Sequence, residues 1–583
     1  MNLRVLDHLT AVYGASTAAG LARRIAGLTD LWRPRLPRHT GPRERLELSE
    51  RDALLITYAD QVREPDRPPL QSLAEFAAAR LSGLISGLHL LPFYPSSSDD
   101  GFSVMDHLAV DPAFGSWEDV ARVGASFELM FDAVFNHASA QGEWFQKFLG
   151  DDPAWRDCFV VVEGHPDLSR VVRPRALPLL TEFATAAGTK RVWTTFSADQ
   201  ADLNLRNPEV LLRLTEALLF YVSQGARFIR LDAIAFLWKE TGTTCLHLPQ
   251  THRVIQCWRA VLDEVAPHVL LITETNVPHA ENLSYFGDGV SEAQLVYNFA
   301  LPPLVLHSFG SGSAAALTRW AESLTLPSDR VTFLNFLASH DGIGLNPVRG
   351  ILSAAEIDAL VQRAREHGGL VSDKHLPAGS RLPYELNVNY LDALSNPAGD
   401  EPVALAARKF LTAQAILFGL QGLPALYFHS LFGSRGDVRG AESSGMPRRI
   451  NREKLDRRQL DRELGDAGSL RALVFDGHRE LLQLRRAHPA FAPAASQRVL
   501  NLDRRVFANL RRSADGRDEV LCLHNVSGEP VSLRLEEADA PVRAWSPLWG
   551  LERVDGAGRS LVIEPYAAAW LAPARAADSG PQQ

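Results

Sequence analysis

Phe228-Ile229-Arg230-Leu231-Asp232-Ala233-Ile234 is the stretch on which the reading of this 583-residue chain turns. It has the make-up of a buried strand that ends in a carboxylate. Side chains alternate across a strand, so Arg230 and Asp232, two residues apart, point to the same side. Their neighbours are apolar, as in a strand covered on both faces. An arginine and an aspartate sharing a face at a strand end form either an internal ion pair or part of an anion-handling site. Two further stretches bear on that choice. Val269-Leu270-Leu271-Ile272-Thr273-Glu274 delivers a second carboxylate, and the strand from Val331 to Leu337 runs into Ser339-His340-Asp341, a third. Three apolar strands, each carrying an acid to its C-terminal end, predict an α/β chain folded as a (β/α)8 TIM barrel.

The rest of the chain fits around that core. Leu54 to Tyr58, Leu88 to Phe93 and Leu129 to Phe135 read as strands one to three, with helical spacing between them. Ala293 to Phe299 reads as the sixth strand and Leu423 to Phe428 as the eighth. Strand–helix alternation of this kind implies a parallel sheet. The period breaks at 138–205 and again at 345–400, too long for simple connections in a compact domain, so both are expected to be insertions after strands 3 and 7. Residues 1–50 are expected to form a helical extension and 51–489 the catalytic barrel. Short alternating runs such as Glu519 to Leu523 and Val531 to Leu535 predict a small β-domain over 490–575. Residues 576–583 are expected to be a disordered tail.

Composition narrows the function. The net charge of -9 argues against nucleic-acid and anionic-membrane partners. The basic patch from Arg33 to Arg45 is too short to reverse that. The four cysteines, Cys158, Cys245, Cys257 and Cys522, form no CxxC pair, so they suggest neither a zinc site nor a redox motif. There is no run of 18 apolar residues and no apolar segment of signal-peptide length at the start. The expectation is a cytoplasmic enzyme, monomeric or homodimeric, with small-molecule partners.

Asp132 to His137, Phe228 to Asp232, Glu274 and Ser339-His340-Asp341 resemble, in order, the four signature regions of the α-amylase clan. Each is weak alone; four in register are specific. The resemblance covers roughly residues 50–570. Leu55 to Asp60, Leu91 to Pro95, Asp99 to Phe102, Thr273 to Asn276 and Arg449 to Arg452 are most similar to the sucrose phosphorylase subfamily. The N-terminal extension, Ser96 to Val104 and Trp193 to Ser197 look most like the branch acting on 2-O-α-D-glucosylglycerate.

That resemblance implies a retaining double displacement. Asp232 would be the nucleophile, kept ionised by Arg230. Glu274, in a more apolar strand, would be the acid/base, and Asp341 the third acid, stabilising the oxocarbenium-like transition state. Asp99, His137, Arg230, His340 and Arg452 match residues that bind the glucose. Phe102 could stack on the sugar, and Phe135 reads as core. Asn136 matches a calcium-binding position of many amylases, but the carboxylates of 138–200 lack ligand spacing, so no metal and no cofactor is expected, phosphate being a co-substrate. Tyr384, Glu385, Arg448 and Arg449 are the candidates for the acceptor and phosphate site, with Arg435 and Arg439 as further loop cations. Glu385 stands where the sucrose enzymes have glutamine, which puts fructose in doubt as the partner. Sucrose phosphorolysis, the sucrose 6-phosphate and glucosylglycerol variants, and hydrolysis or transglucosylation stay open as alternatives.

Overall fold

The computed structural model describes residues 2–38, 45–175, 177–375, 381–535, 544–551, 554–555 and 559–574. The expected tail, 576–583, lies outside them. The centre is a closed barrel of eight parallel strands. In chain order these are β1 (Leu54–Thr57), β2 (Gly87–Leu90), β3 (Glu128–Ala133), β4 (Ala226–Leu231), β5 (Leu270–Thr273), β6 (Leu295–Tyr297), β7 (Thr332–Asn335) and β8 (Leu423–Tyr427). Each pairs with the next, and Leu54 of β1 lies opposite Ala425 of β8, closing the ring. Helices outside cover the strands. Three of them, Pro69–Leu81, Pro208–Ser223 and Pro249–Val265, open on a proline, which costs no hydrogen bond at the first helical position.

The register of the barrel decides what faces the interior. Arg230 on β4 lies opposite Asp132 on β3 and Ile272 on β5. Asp132 and Arg230 therefore meet as a cross-strand pair, and Asp232 and Glu274 follow at the C-terminal ends of their strands.

Three excursions crowd that end. After β3 come the helix Glu143–Leu149 and the hairpin Leu180–Thr185/Gly188–Trp193, and His137–Ser139 pairs antiparallel with Gln200–Asp202 across the two ends of the excursion. After β7 a three-stranded sheet joins Ile343–Gly344, Leu370–His375 and Arg381–Asn387. After β8 the helix Val438–Ser444 leads into a 3-10 turn, Pro447–Asn451. At the outer face, the N-terminal helices Leu3–Tyr13 and Ala15–Trp32 pack on Pro249–Val265 and Pro208–Ser223. The Tyr13 hydroxyl donates to the Leu205 carbonyl at 2.7 Å. The C-terminal unit is a five-stranded antiparallel sheet plus a two-stranded one. Buried Arg511 fastens it to the barrel, donating to the carbonyls of Gly419 at 3.2 Å and Ala492 at 2.9 Å.

Candidate active site

Above the strand ends lies a narrow cavity of about 80 Å³, lined by Asp99, His137, Asp232, Glu274, His340 and Asp341 among others. A water needs about 10–15 Å³ on this measure, so the space suits one sugar rather than a chain. Phe102, Phe196, Phe236 and Phe299 supply apolar wall. Phe102 stacks on His340 with ring centroids 4.8 Å apart. Phe135 is core, packed between Tyr221 and Trp258.

Arg230 holds the acids together from beneath. It donates to Asp132 and, at 2.7 Å, to Asp232 Oδ1, while its other terminal nitrogen lies 3.9 Å from Glu274 Oε2. His89 Nε2 bonds Asp132 Oδ2 at 2.6 Å. The sequence pairs Arg230 with Asp232 alone, and here the structure corrects it. One guanidinium serves three carboxylates: with His89 it holds Asp132 below its ordinary value, but it does not outweigh the desolvation of Asp232 or Glu274. Burial pushes Asp232 up to about 6 and Glu274 up to about 7, with Arg230 pulling both down and the neighbouring acids raising them. Direct contact with Arg230 at 2.7 Å favours the ionised form of Asp232, whereas Glu274, 3.9 Å from that guanidinium, gains less from it.

The backbone after Asp232 contributes as well. Ala233 sits in the left-handed region at φ 48° and aims its N–H at Glu274 Oε2, 3.0 Å away. A non-glycine residue there carries backbone strain, which the surrounding structure must hold in place.

Asp341 behaves differently. Burial raises it, but the guanidiniums of Arg448, Arg452 and Arg230 oppose burial and hold its carboxyl well below the usual range. Arg448 approaches Asp341 Oδ1 to 2.6 Å and Arg452 to 3.4 Å. Three acids in one pocket are therefore set in three states, with Glu274 the most basic and Asp341 the least. Burial lowers His137 and His340, leaving both neutral. Neutral imidazoles suit contact with uncharged hydroxyls.

The expected sugar-binding residues divide into two sets. Asp99, His137 and His340 line the cavity; Arg230 and Arg452 do not. Arg452 lies behind, donating to the His340 carbonyl at 2.9 Å and to Asp100 Oδ2 at 2.7 Å. The acceptor candidates divide too. Tyr384 and Arg448 line the cavity. Glu385 is buried behind them, accepting from the Gly342 N–H at 2.8 Å and pairing with Arg448 at 2.9 Å. Arg449 turns to Asp100 at 2.6 Å and is not among the lining residues. Arg435 is taken up by Asp392 and the Ser395 carbonyl, and Arg439 borders a separate cavity.

Several residues here were not singled out from sequence. Gln200 donates to Asp99 Oδ2 at 3.3 Å and lines the cavity with Asn276. Arg175, from the insertion after β3, enters beside Tyr384 and Arg448. The Arg448 charge is the first cause that pushes Arg175 down, so two guanidiniums are crowded together in one pocket. Arg175 lies in an irregular segment, Arg170 to Arg175, where no period or motif marks one arginine above another.

A parallel eight-stranded barrel with clustered acids at its C-terminal mouth is the architecture of the α-amylase class, and the α-amylase catalytic-domain family matches residues 83–342. The chain belongs to the glucosylglycerate phosphorylase family within that class. It is 50% identical over 570 residues to the glucosylglycerate phosphorylase of Allomeiothermus silvanus, covering 97% of this chain and 98% of the relative. To that of Escherichia coli it is 43% identical over 573 residues, covering 98% and 100%. Among solved structures, sucrose 6F-phosphate phosphorylase from Thermoanaerobacter thermosaccharolyticum shares the fold, with a TM-score of 0.72 at 20% identity, covering 88% of this chain and 98% of that one.

Proposed function

We propose that the protein converts 2-O-α-D-glucosylglycerate and phosphate to α-D-glucose 1-phosphate and D-glycerate, with retained configuration. The Asp232 carboxylate attacks the anomeric carbon while Glu274 gives its proton to the departing glycerate oxygen. Glu274, now ionised, takes the proton from hydrogen phosphate as a phosphate oxygen displaces Asp232. Asp341 stays anionic and stabilises the positive charge that develops on the sugar. Asp99, His137 and His340 hold the glucose hydroxyls; Arg230 and Arg452 position these groups from behind.

The observation that carries phosphorolysis over hydrolysis is the crowding of Arg175 against Arg448 beside Tyr384. Arg448 already pairs with Asp341 and Glu385, and Arg175 adds a second cation beside it, a charge that an incoming anion would balance. Both the phosphate and the glycerate carboxylate are such anions, and fructose is not. Arg175→Ala should raise KM for phosphate and for glycerate about 10- to 150-fold, since a charge-assisted hydrogen bond contributes about 1.5–3 kcal/mol. Arg449→Ala should leave both KM values near wild type. Steady-state kinetics on the two variants checks this, and the opposite ranking would move the anion site to Arg449.

The reaction is proposed to need no metal. Buried Lys239 places its ammonium 2.6 Å from Asn136 Oδ1 and 2.5 Å from Asp202 Oδ2, so a fixed cation already occupies the oxygen set around Asn136. A chelator should leave turnover unchanged; loss of activity that calcium restores would contradict this. All four cysteines are buried and unpaired, in keeping with a reducing compartment such as the cytoplasm.

The proposed function is tested in the reverse direction. With α-glucose 1-phosphate as donor, phosphate release should be fastest with D-glycerate and much slower with glycerol, fructose or fructose 6-phosphate. Glycerol matches glycerate in size and lacks its charge. Equal use of the two, or a preference for fructose, would overturn the assignment.

A further inference from the structure

Beyond Tyr384 lies a second cavity of about 370 Å³ that shares the wall residues Pro174, Phe236, Asn276, Val277 and Tyr384 with the first. Its charged lining is mostly cationic: Arg173, Arg349 and Lys374, against Glu281. Glu281 is hydrogen-bonded to His247 Nε2 at 3.1 Å; burial pushes His247 down to about 4, so the imidazole is neutral, Glu281 keeps its charge, and three cations face one anion. The hydrogen bonds that the cations make go to neutral acceptors. Arg349 Nη2 donates to the Pro383 carbonyl at 2.7 Å, and Lys374 Nζ to Asn346 Oδ1 at 2.9 Å. Arg173 Nη2 and Arg349 Nε are buried atoms with no hydrogen-bond partner. Burial and then the Arg349 charge push the Lys374 ammonium down, so these two cations also sit near each other.

The wall between the cavities places the charges in sequence. Arg173 lines the outer space, Arg175 the inner one, and Pro174 between them lines both. Two arginines on either side of one proline thus face two adjoining cavities. An anion passing from the second cavity to the first would leave Arg173, Arg349 and Lys374 for Arg175 and Arg448. Half-buried cations that form no ion pair within 4 Å among the described residues, converging on a space large enough for a small ligand, suit an anion.

We propose that this outer cavity is a second anion site, in which a small oxyanion, phosphate or the carboxylate of glycerate, is held next to the reaction pocket. It rests on the function proposed above and adds a device to it. Once glycerate has left, the glucosyl-enzyme is exposed to water until phosphate arrives. Phosphate held one wall away shortens that interval, so phosphorolysis outruns hydrolysis even when phosphate is dilute. The three cations also draw anions in from solution, an effect that salt screens.

The test uses the full-length protein and the double variant Arg349→Gln/Lys374→Met, with Lys374→Met alone as the milder change and thermal unfolding as the check on folding. Equilibrium dialysis with inorganic phosphate should find two bound equivalents on wild type and one on the double variant. D-glycerate should compete for the outer equivalent and glycerol should not. In kinetics, the double variant should lose about tenfold in kcat/KM for phosphate at low salt, keep kcat at saturating phosphate, and converge on wild type at high salt. Its products at dilute phosphate should shift from glucose 1-phosphate towards glucose. One phosphate equivalent on folded wild type and variant alike, with equal salt dependence, would overturn the outer site. If wild type formed no glucose 1-phosphate from any α-glucoside, the proposed function would fall instead, and the dialysis count alone would decide the outer site.

Discussion

Asp232→Asn should abolish glucosyl transfer, lowering kcat by about 10⁴-fold or more, the scale on which removal of a catalytic nucleophile acts. Asparagine keeps the shape of the side chain and cannot form the acyl-type glucosyl ester. Arg230 keeps Asp132 as its partner in the variant, so no buried charge is left alone. The barrel should therefore unfold at a temperature close to wild type, with an unchanged far-UV circular dichroism spectrum. Turnover in both directions, from glucosylglycerate and from glucose 1-phosphate, should vanish together, because both routes pass through the same covalent intermediate. A folded Asp232→Asn protein with ordinary turnover would place the nucleophile elsewhere.

Glu274→Gln should cost about 10²- to 10⁴-fold, the usual contribution of a general acid, and unevenly across substrates. Glucosylglycerate needs a proton on its leaving oxygen and should suffer most. A donor such as α-glucosyl fluoride needs less help, so it should still glucosylate Asp232. The intermediate then has no base to activate its next partner. Azide needs none, and it should restore turnover and yield α-glucosyl azide. The pH profile carries the same assignment. The first step requires Asp232 ionised and Glu274 protonated. Activity is lost as pH falls through about 6, where Asp232 takes up its proton, and as pH rises through about 7, where Glu274 loses its own. The two acids titrate as a pair, so kcat/KM for glucosylglycerate should trace a narrow bell with its top between these values. The alkaline limb should disappear in Glu274→Gln assayed with the activated donor. A Glu274→Gln protein that used glucosylglycerate as wild type does, without response to azide, would refute the role.

Much of this site was legible because its chemistry sits on regular elements. A strand has a period of two, so Arg230 and Asp232 could be placed on one face from spacing alone. The C-terminal ends of β4, β5 and β7 then follow from the barrel geometry, and with them Asp232, Glu274 and Asp341. What lay across the strands was harder. Asp132 stood in view on its own strand, but only the register opposite Arg230 shows that it shares that guanidinium. The sharing reverses the expected balance at Asp232, since burial then outweighs a charge divided three ways. Loops were harder still. Asp99 and Asp100 are adjacent and both have positive φ, yet one lines the pocket and the other ties down Arg449 and Arg452. No sequence period says which is which. The same holds for Arg448 against Arg449, and for Arg173 against Arg175.

The most direct measurement follows the reaction itself by proton and phosphorus NMR, starting from 2-O-α-D-glucosylglycerate and inorganic phosphate. The first product to appear should be α-D-glucose 1-phosphate, in step with free D-glycerate and with little free glucose, while sucrose under the same conditions should turn over far more slowly. Appearance of the β-phosphate, of free glucose in place of the phosphate ester, or of faster turnover on sucrose would contradict retaining phosphorolysis of glucosylglycerate.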